Sequence, residues 1–194
     1  MMNSETTNIA LFGTSADPPT AGHQMILRWL CDRFDQVAVW ASDNPLKSQQ
    51  TPLEHRLKML ELAIAQIDAP HHKISLHREL SHRYSIETLK SAQQIWGKES
   101  HFTFVVGSDI IAQLPRWHRG EALLQQVKLL IIPRPGYPLG EKELKIVARM
   151  GGRYAIADIN APEVSSSAYR HWHDSRLIMP LVEDYIHQEK LYAS

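Results

Sequence analysis

Short apolar runs rich in β-branched residues recur along the chain, each followed by a segment whose apolar side chains return every three or four positions. The runs Ile9–Phe12, Val37–Trp40, Lys73–Leu76, Phe102–Val106, Leu129–Ile132 and Tyr154–Ala157 predict strands. Between the second and third, Thr51-Pro52-Leu53-Glu54 offers an N-cap, a proline for the first helical position and a capping-box glutamate; Leu53, Leu57, Leu60, Ile64 and Ile67 then mark one helical face. Met25, Ile26, Trp29 and Leu30 predict a first crossover helix, and Ile86, Leu89 and Ile95 predict a third. A last helix is predicted from Pro180 through Val182, Tyr185 and Ile186. Strands alternating with helices imply an α/β fold with a parallel sheet flanked by helices and right-handed crossovers.

Length and composition narrow this without changing it. With 194 residues, no internal repeat and no Pro/Gly-rich linker, the chain reads as a single domain over 1–194. The segment "PRPGYPLG", Pro133–Gly140, reads as a loop leaving a strand. Hydrophobic residues make up 43% and charged residues 22%, and no apolar run approaches a membrane span, so a soluble protein without a membrane partner is expected. Lys plus Arg equals Asp plus Glu at 21 each, which leaves no net field to attract nucleic acid. The polar start "MMNSETTN" lacks the apolar core of a secretory signal, and Cys31 is the only cysteine, so cytoplasmic residence is expected, with no disulfide and no Cys-rich zinc site. Eleven histidines invite a metal reading, but HExxH is absent and neither His71-His72 nor His171/His173 has partners at helical spacing; solvent-facing histidines account for them better.

Chemistry concentrates in two places. In "LFGTSADPPTAGH", Leu11–His23, the first strand ends near Phe12 and a helix starts near Thr20. Gly13 permits close approach of a ligand, Pro18 and Pro19 stiffen the loop, and the unpaired amides of a first helical turn favour an anion. Thr20 and His23, three residues apart, project from the same side of that turn, where both can donate to one phosphate. A histidine at a helix start also serves as a cap or a surface residue, and neither GxGxxG nor a P-loop is present. In "VSSSAYR", Ser165, Ser166 and Ser167 can cap a helix with hydroxyls and amides aimed at one spot, and Arg170 adds a planar fork one turn in. An overcapped helix with a surface arginine is the plainer alternative.

Together TxGH and VSSSAYR resemble the two signatures of the (H/T)xGH nucleotidylyltransferase superfamily, the second of which is commonly written ISSTxxR. "NPLK", Asn44–Lys47, is similar to the PPHK segment of bacterial nicotinate-nucleotide adenylyltransferases. "RYSIETL", Arg83–Leu89, resembles their SYTxDTL, and "FVVGSDIIAQLPRWHR" and "LLIIPRPGYP" resemble the blocks that follow. Against GGTFDPIHxGH the chain has Thr14 for the second glycine, Ala16 for the phenylalanine and Thr20 for the first histidine. Leu46 replaces the histidine of PPHK, and Arg83 replaces the serine before Tyr84.

The resemblance implies a Rossmann-like parallel sheet with a small C-terminal helical portion at about 165–194 that carries the second motif. It implies transfer of an adenylyl group from ATP to nicotinate mononucleotide, with release of pyrophosphate and formation of deamido-NAD. Thr20 and His23 would meet the reacting phosphates, Ser166, Ser167 and Arg170 the β- and γ-phosphates, and Lys47 the mononucleotide phosphate. Gly13, Thr14 and Gly22 belong to the ATP loop, Gly107 would let adenosine approach, and Asp109 would accept from ribose hydroxyls unless it is a helix N-cap. Amides around Tyr84 and Ser85 would read the pyridine substituent, and Trp117 offers a π-face to the ring. Magnesium (Mg2+) would be held mostly by ATP oxygens and water, with no metal-binding side chains. Preference for nicotinamide mononucleotide, a pantetheine-phosphate adenylyltransferase, and a nucleotide-sensing module without turnover remain alternatives, and homo-oligomerisation stays open.

Overall fold

A computed structural model describes residues 6–42, 50–70, 73–159 and 164–192. In chain order the elements are β1 (Asn8–Thr14), α1 (Ala21–Cys31), β2 (Gln36–Ala41), α2 (Leu53–Ala65), β3 (Ile74–Leu76), α3 (Ser85–Trp96), β4 (His101–Gly107), α4 (Gly120–Leu124), β5 (Lys128–Ile132), α5 (Glu141–Arg149), β6 (Arg153–Ile156), α6 (Ser166–Trp172) and α7 (Pro180–Gln188). A 3-10 segment, Ser108–Arg116, follows β4 directly.

All six apolar runs are strands of one sheet, ordered β3-β2-β1-β4-β5-β6 and parallel at every pairing. The first strand reaches further than its apolar run because Asn8 pairs in register with His101 and Thr14 with Ala41. Alternate side chains serve opposite faces. Ile9, Leu11, Phe102, Phe104, Leu129 and Ile131 enter a core shared with α3, α4 and α5. Ala10, Phe12, Val37, Val39, Leu130 and Ile132 enter one shared with α1 and α2. Both faces of β2, β1, β4 and β5 are covered, which is why these strands read as continuous apolar runs, whereas the edge strand β6 leaves Tyr154 and Ile156 exposed.

From β1 the chain winds outward to β2 and β3, then returns to lay β4 on the other side of β1. The neighbouring carboxyl ends of β1 and β4 are therefore the point where the order of connection reverses, and a crevice opens there. The fold is a Rossmann-like α/β sheet with C-terminal helices.

Helix faces needed tertiary correction. In α1, Leu27 is fully buried while Met25 is 42% exposed, because the sheet takes the face bearing Ile26, Leu27, Leu30 and Cys31. In α3, Ile86, Leu89 and Ala92 are buried and Ile95 is exposed. Helix α2 begins after Pro52, whose carbonyl accepts from the amides of His55 and Arg56. Thr51 is not its side-chain cap, and Glu54 pairs with Arg78 at 2.7 Å instead of folding back into a capping box. Leu57 and Leu60 pack under the sheet as expected, and burial of each leucine contributes about 1.5–3 kcal/mol. The opposite side of α2 is buried as well: Met59 and Ala63 pack with Tyr169 of α6 and with Val182 and Ile186 of α7. That second contact seats the C-terminal helices beside the β1–α1 loop.

Candidate active site

The crevice at the ends of β1 and β4 is a cleft of about 870 Å³, within the range that takes a cofactor-sized ligand. Gly13, Thr14, His23, Tyr84, Ser85, Gly107, Asp109, Trp117, Ser166, Ser167 and Arg170 all line it. Lys47, together with the rest of Asn44–Lys47 and His71-His72, lies outside the described residues. His171 and His173 are exposed.

The floor is set by β1. Gly13 is needed there because a Cβ would lie 2.4 Å from the indole of Trp40, so the glycine accommodates a buried neighbour at the edge of the cleft. Thr14 closes the strand: its carbonyl accepts from Ser42 N at 2.8 Å, and its hydroxyl accepts from Ala16 N at 3.1 Å and turns the chain.

Helix α1 starts where expected, with Thr20 as its N-cap residue and Gly22 buried in the first turn. Thr20, however, is fully buried and does not reach the cleft. Its main-chain N–H donates to His23 Nδ1 at 3.1 Å, and its hydroxyl sits 2.9 Å from the same nitrogen. A main-chain N–H can only donate, so Nδ1 is the acceptor and the neutral imidazole carries its proton on Nε2. Thr20 therefore orients His23 and fixes its tautomer. His23, 8% exposed and lining the cleft, is the donor of the pair.

The second motif folds against the first. Ser165 caps α6 through Ala168 N at 3.0 Å. Ser166 Oγ accepts from Asp17 N at 3.3 Å and donates to the Pro18 carbonyl at 2.8 Å. Arg170 donates to the Asp17 carbonyl through one nitrogen and to Ser167 Oγ at 3.2 Å through another. The serines and the arginine thus hold the loop of the first motif as well as facing the cleft, a role that requires the folded chain and was not visible in "VSSSAYR". Asp17 is the residue that sequence reasoning passed over: 5% exposed, its carboxylate accepts from Thr51 N at 2.9 Å and from the hydroxyl of Tyr192. Burial, and then the bond to that carboxylate, hold the Tyr192 phenol far above its ordinary pKa.

On the β4 side, Gly107 ends the strand where a Cβ would lie 2.3 Å from Asp109 Oδ1. The 3-10 segment starts after Gly107, so Asp109 is not its N-cap. Asp109 Oδ2 accepts from Arg134 at 3.2 Å, while Oδ1 is buried with no partner among the described residues. That orphaned acceptor faces the glycine opening. Further out, Tyr84 precedes the first residue of α3, Ser85, and its ring lies 4.5 Å from that of His118 with the Arg83 guanidinium above it. Trp117 meets Phe104 edge-on at 6.2 Å. Among the described residues, no three His, Cys, Asp or Glu side chains gather where they would hold a metal ion.

A sheet with this order, a histidine at the head of the first crossover helix and a serine-arginine motif folded onto the same loop bring anion-binding groups together at a topological switch point, where such sheets take their ligands. The family model for cytidylyltransferase-like proteins matches residues 11–172, and the chain belongs to that family. It is 42% identical to a probable nicotinate-nucleotide adenylyltransferase of Synechocystis sp., covering 95% of this chain and 98% of that one. It is 30% identical to a protein of the same name from Geobacillus kaustophilus, covering 96% and 86%. Among solved structures it resembles Plasmodium falciparum nicotinic acid mononucleotide adenylyltransferase complexed with NaAD, at a TM-score of 0.81 and 25% identity over 96% of this chain and 97% of that one.

Proposed function

We propose that the protein transfers the adenylyl group of ATP to nicotinate mononucleotide, forming deamido-NAD and pyrophosphate, a step of NAD biosynthesis. The observation that carries this reading is the closure of the two phosphate motifs on one another across the β1–β4 crevice, in a chain whose relatives bear that enzyme's name. A phosphate oxygen of the mononucleotide attacks the α-phosphorus of ATP in line, the bond to the bridging oxygen breaks, and pyrophosphate leaves. No protein nucleophile is required, only alignment and stabilisation of charge on the phosphate oxygens.

The Nε2–H of His23 supplies a fixed donor to the reacting phosphate, held by Thr20. The N-terminus of α1 adds its amides and dipole. Ser166, Ser167 and Arg170 bind the β- and γ-phosphates that leave as pyrophosphate. The orphaned Oδ1 of Asp109 accepts a ribose hydroxyl, and Trp117 stacks on the pyridine ring near the amides of Tyr84 and Ser85. Lys47 is assigned to the mononucleotide phosphate on motif resemblance alone.

The donor set fits a magnesium ion carried by the triphosphate. Among the described residues the cleft's carboxylates are those of Asp17, which two protein donors occupy, and Asp109, which faces Arg134, so phosphate oxygens and water would coordinate the cation. When bound, it would neutralise charge on the leaving pyrophosphate. Cytoplasmic residence belongs to the same reading, supported by the use of ATP and by the single, buried Cys31. The described residues of one chain bring both motifs to one cleft.

Pyrophosphate release with ATP and magnesium tests the proposal, with nicotinate and nicotinamide mononucleotides compared side by side. Turnover favouring the nicotinate form is expected. Turnover with phosphopantetheine instead, or with neither mononucleotide, would overturn it.

A further inference from the structure

The loop bearing Asp17 is held from two directions, and only one of them belongs to the motifs that face the phosphates. From α6, Ser166 and Arg170 grip its backbone. From behind, Thr51 N and the hydroxyl of Tyr192 take the two oxygens of the Asp17 carboxylate. Tyr192 comes from the far end of the chain, 175 residues away.

The segment that delivers Tyr192 is built for it. After α7, Lys190 (φ 54°) is the left-handed residue of a Schellman turn that ends the helix, its N–H donating to the His187 carbonyl, and Tyr192 (φ 60°) then takes left-handed backbone outside any helix cap, a region that side chains with a Cβ seldom adopt. The turn between them closes on Leu191 N, which donates to the Ile186 carbonyl at 3.0 Å. The Tyr192 ring stands edge-on to Tyr169 of α6 at 6.3 Å, and Tyr169 is 1% exposed. Conformations of this kind persist where surrounding contacts over-determine them, and they concentrate where a residue must be placed accurately. The aromatic contact and the hydroxyl bond supply that determination.

We infer that Tyr192 is a positioning residue for adenylyl transfer: the C-terminal turn braces the Asp17 carboxylate and so sets the Ser15–Asp17 wall on which the triphosphate lies. The wall residues line the cleft, whereas Tyr192 does not. Loss of the hydroxyl leaves a buried carboxylate oxygen short of a donor, and the loop must move toward water to satisfy it. The disturbance falls on the side of Ser166 and Arg170, not on the side of Tyr84 and Trp117. The inference rests on the adenylyl-transfer reading for its kinetic part only.

The test is Tyr192→Phe, which keeps the ring against Tyr169 and removes one hydroxyl. A bond to a charged group is lost, so kcat/KM for ATP is expected to fall about tenfold or more. The KM for the mononucleotide should stay within twofold, the melting temperature should fall by no more than the several degrees one such bond accounts for, and the amides of residues 15–23 should exchange faster with solvent. Combining Tyr192→Phe with Asp17→Asn should cost no more than Asp17→Asn alone, because both act through one bond. Tyr185→Phe removes a comparable hydroxyl from the same C-terminal region, one bonded to His55 at 2.8 Å, and should leave the kinetics unchanged. The inference is overturned if Tyr192→Phe keeps its ATP kcat/KM within twofold of wild type. It is overturned equally if both substrates suffer alike in step with a fall in melting temperature. Should wild-type protein release no pyrophosphate, the adenylyl-transfer reading fails by itself. Affinity for a non-hydrolysable ATP analogue and amide exchange in the two proteins then decide the brace.

Discussion

The main-chain N–H of Thr20 donates to Nδ1 of His23 at 3.1 Å, so the cap residue of α1 dictates which nitrogen of the imidazole carries the proton. A donor held in one tautomer and one rotamer needs no reorganisation as charge develops on a phosphate. His23→Ala is expected to lower turnover roughly a hundred- to a thousandfold, the usual cost of losing one such donor. Steady-state kinetics with a circular-dichroism melt check this; near-normal turnover in a folded variant would remove His23 from the chemistry.

Trp117 lines the cleft together with Tyr84 and His118, its ring edge-on to Phe104. If it stacks on the pyridine, Trp117→Ala forfeits about 1–3 kcal/mol, a rise of roughly tenfold in the KM for the mononucleotide with that for ATP nearly unchanged. The variant also loses the edge contact with Phe104, so its melting temperature should be measured alongside. An equal rise in both KM values would count against stacking.

Arg56 is 3% exposed and donates to the carbonyls of Thr51 at 2.9 Å and Ser42 at 2.8 Å, the residues on either side of the segment that holds Lys47. Arg56→Met keeps much of the volume but leaves both carbonyls short of a donor, at about 1–3 kcal/mol for each buried group. Urea denaturation should show a loss in that range or above. Stability within 0.5 kcal/mol of wild type, roughly the scale of a surface substitution, would show that the carbonyls find other donors.

Leu27 and Met25 test which face of α1 meets the sheet. Leu27→Ala should cost about 2–5 kcal/mol as a core truncation, and Met25→Ala should stay within roughly 0.5 kcal/mol. The reverse ranking in chemical denaturation would mean that the helix is rotated from the face described.

What was legible in the sequence follows from how local each signal is. Six apolar runs of strand length became six parallel strands; the inner four are apolar because they are covered on both faces. Pro180 opened α7 and Ser165 capped α6, since proline at a first turn and serine before one act within three or four residues. The stretch Leu11–His23 was readable for the same reason: a strand, a turn and a helix N-terminus occupy one short run of residues.

Packing between elements decided the rest. Met25 and Leu27 are both apolar neighbours on α1, and only the sheet beneath the helix determines which is buried. Thr51 and Glu54 had the spelling of a capping box, but Asp17 took the threonine amide and Arg78 took the glutamate. Thr20 looked like a phosphate donor until the fold enclosed it behind His23. The strands and the helices α1, α2, α3, α6 and α7 could be read along the chain because they rest on periodicity and on caps a few residues wide, whereas α4 and α5 could not. Only the tertiary structure decided that Ser166 would bond the Pro18 carbonyl and Tyr192 the Asp17 carboxylate. Contacts 148 and 175 residues apart are set by how the C-terminal helices dock on α2, and no local pattern records them.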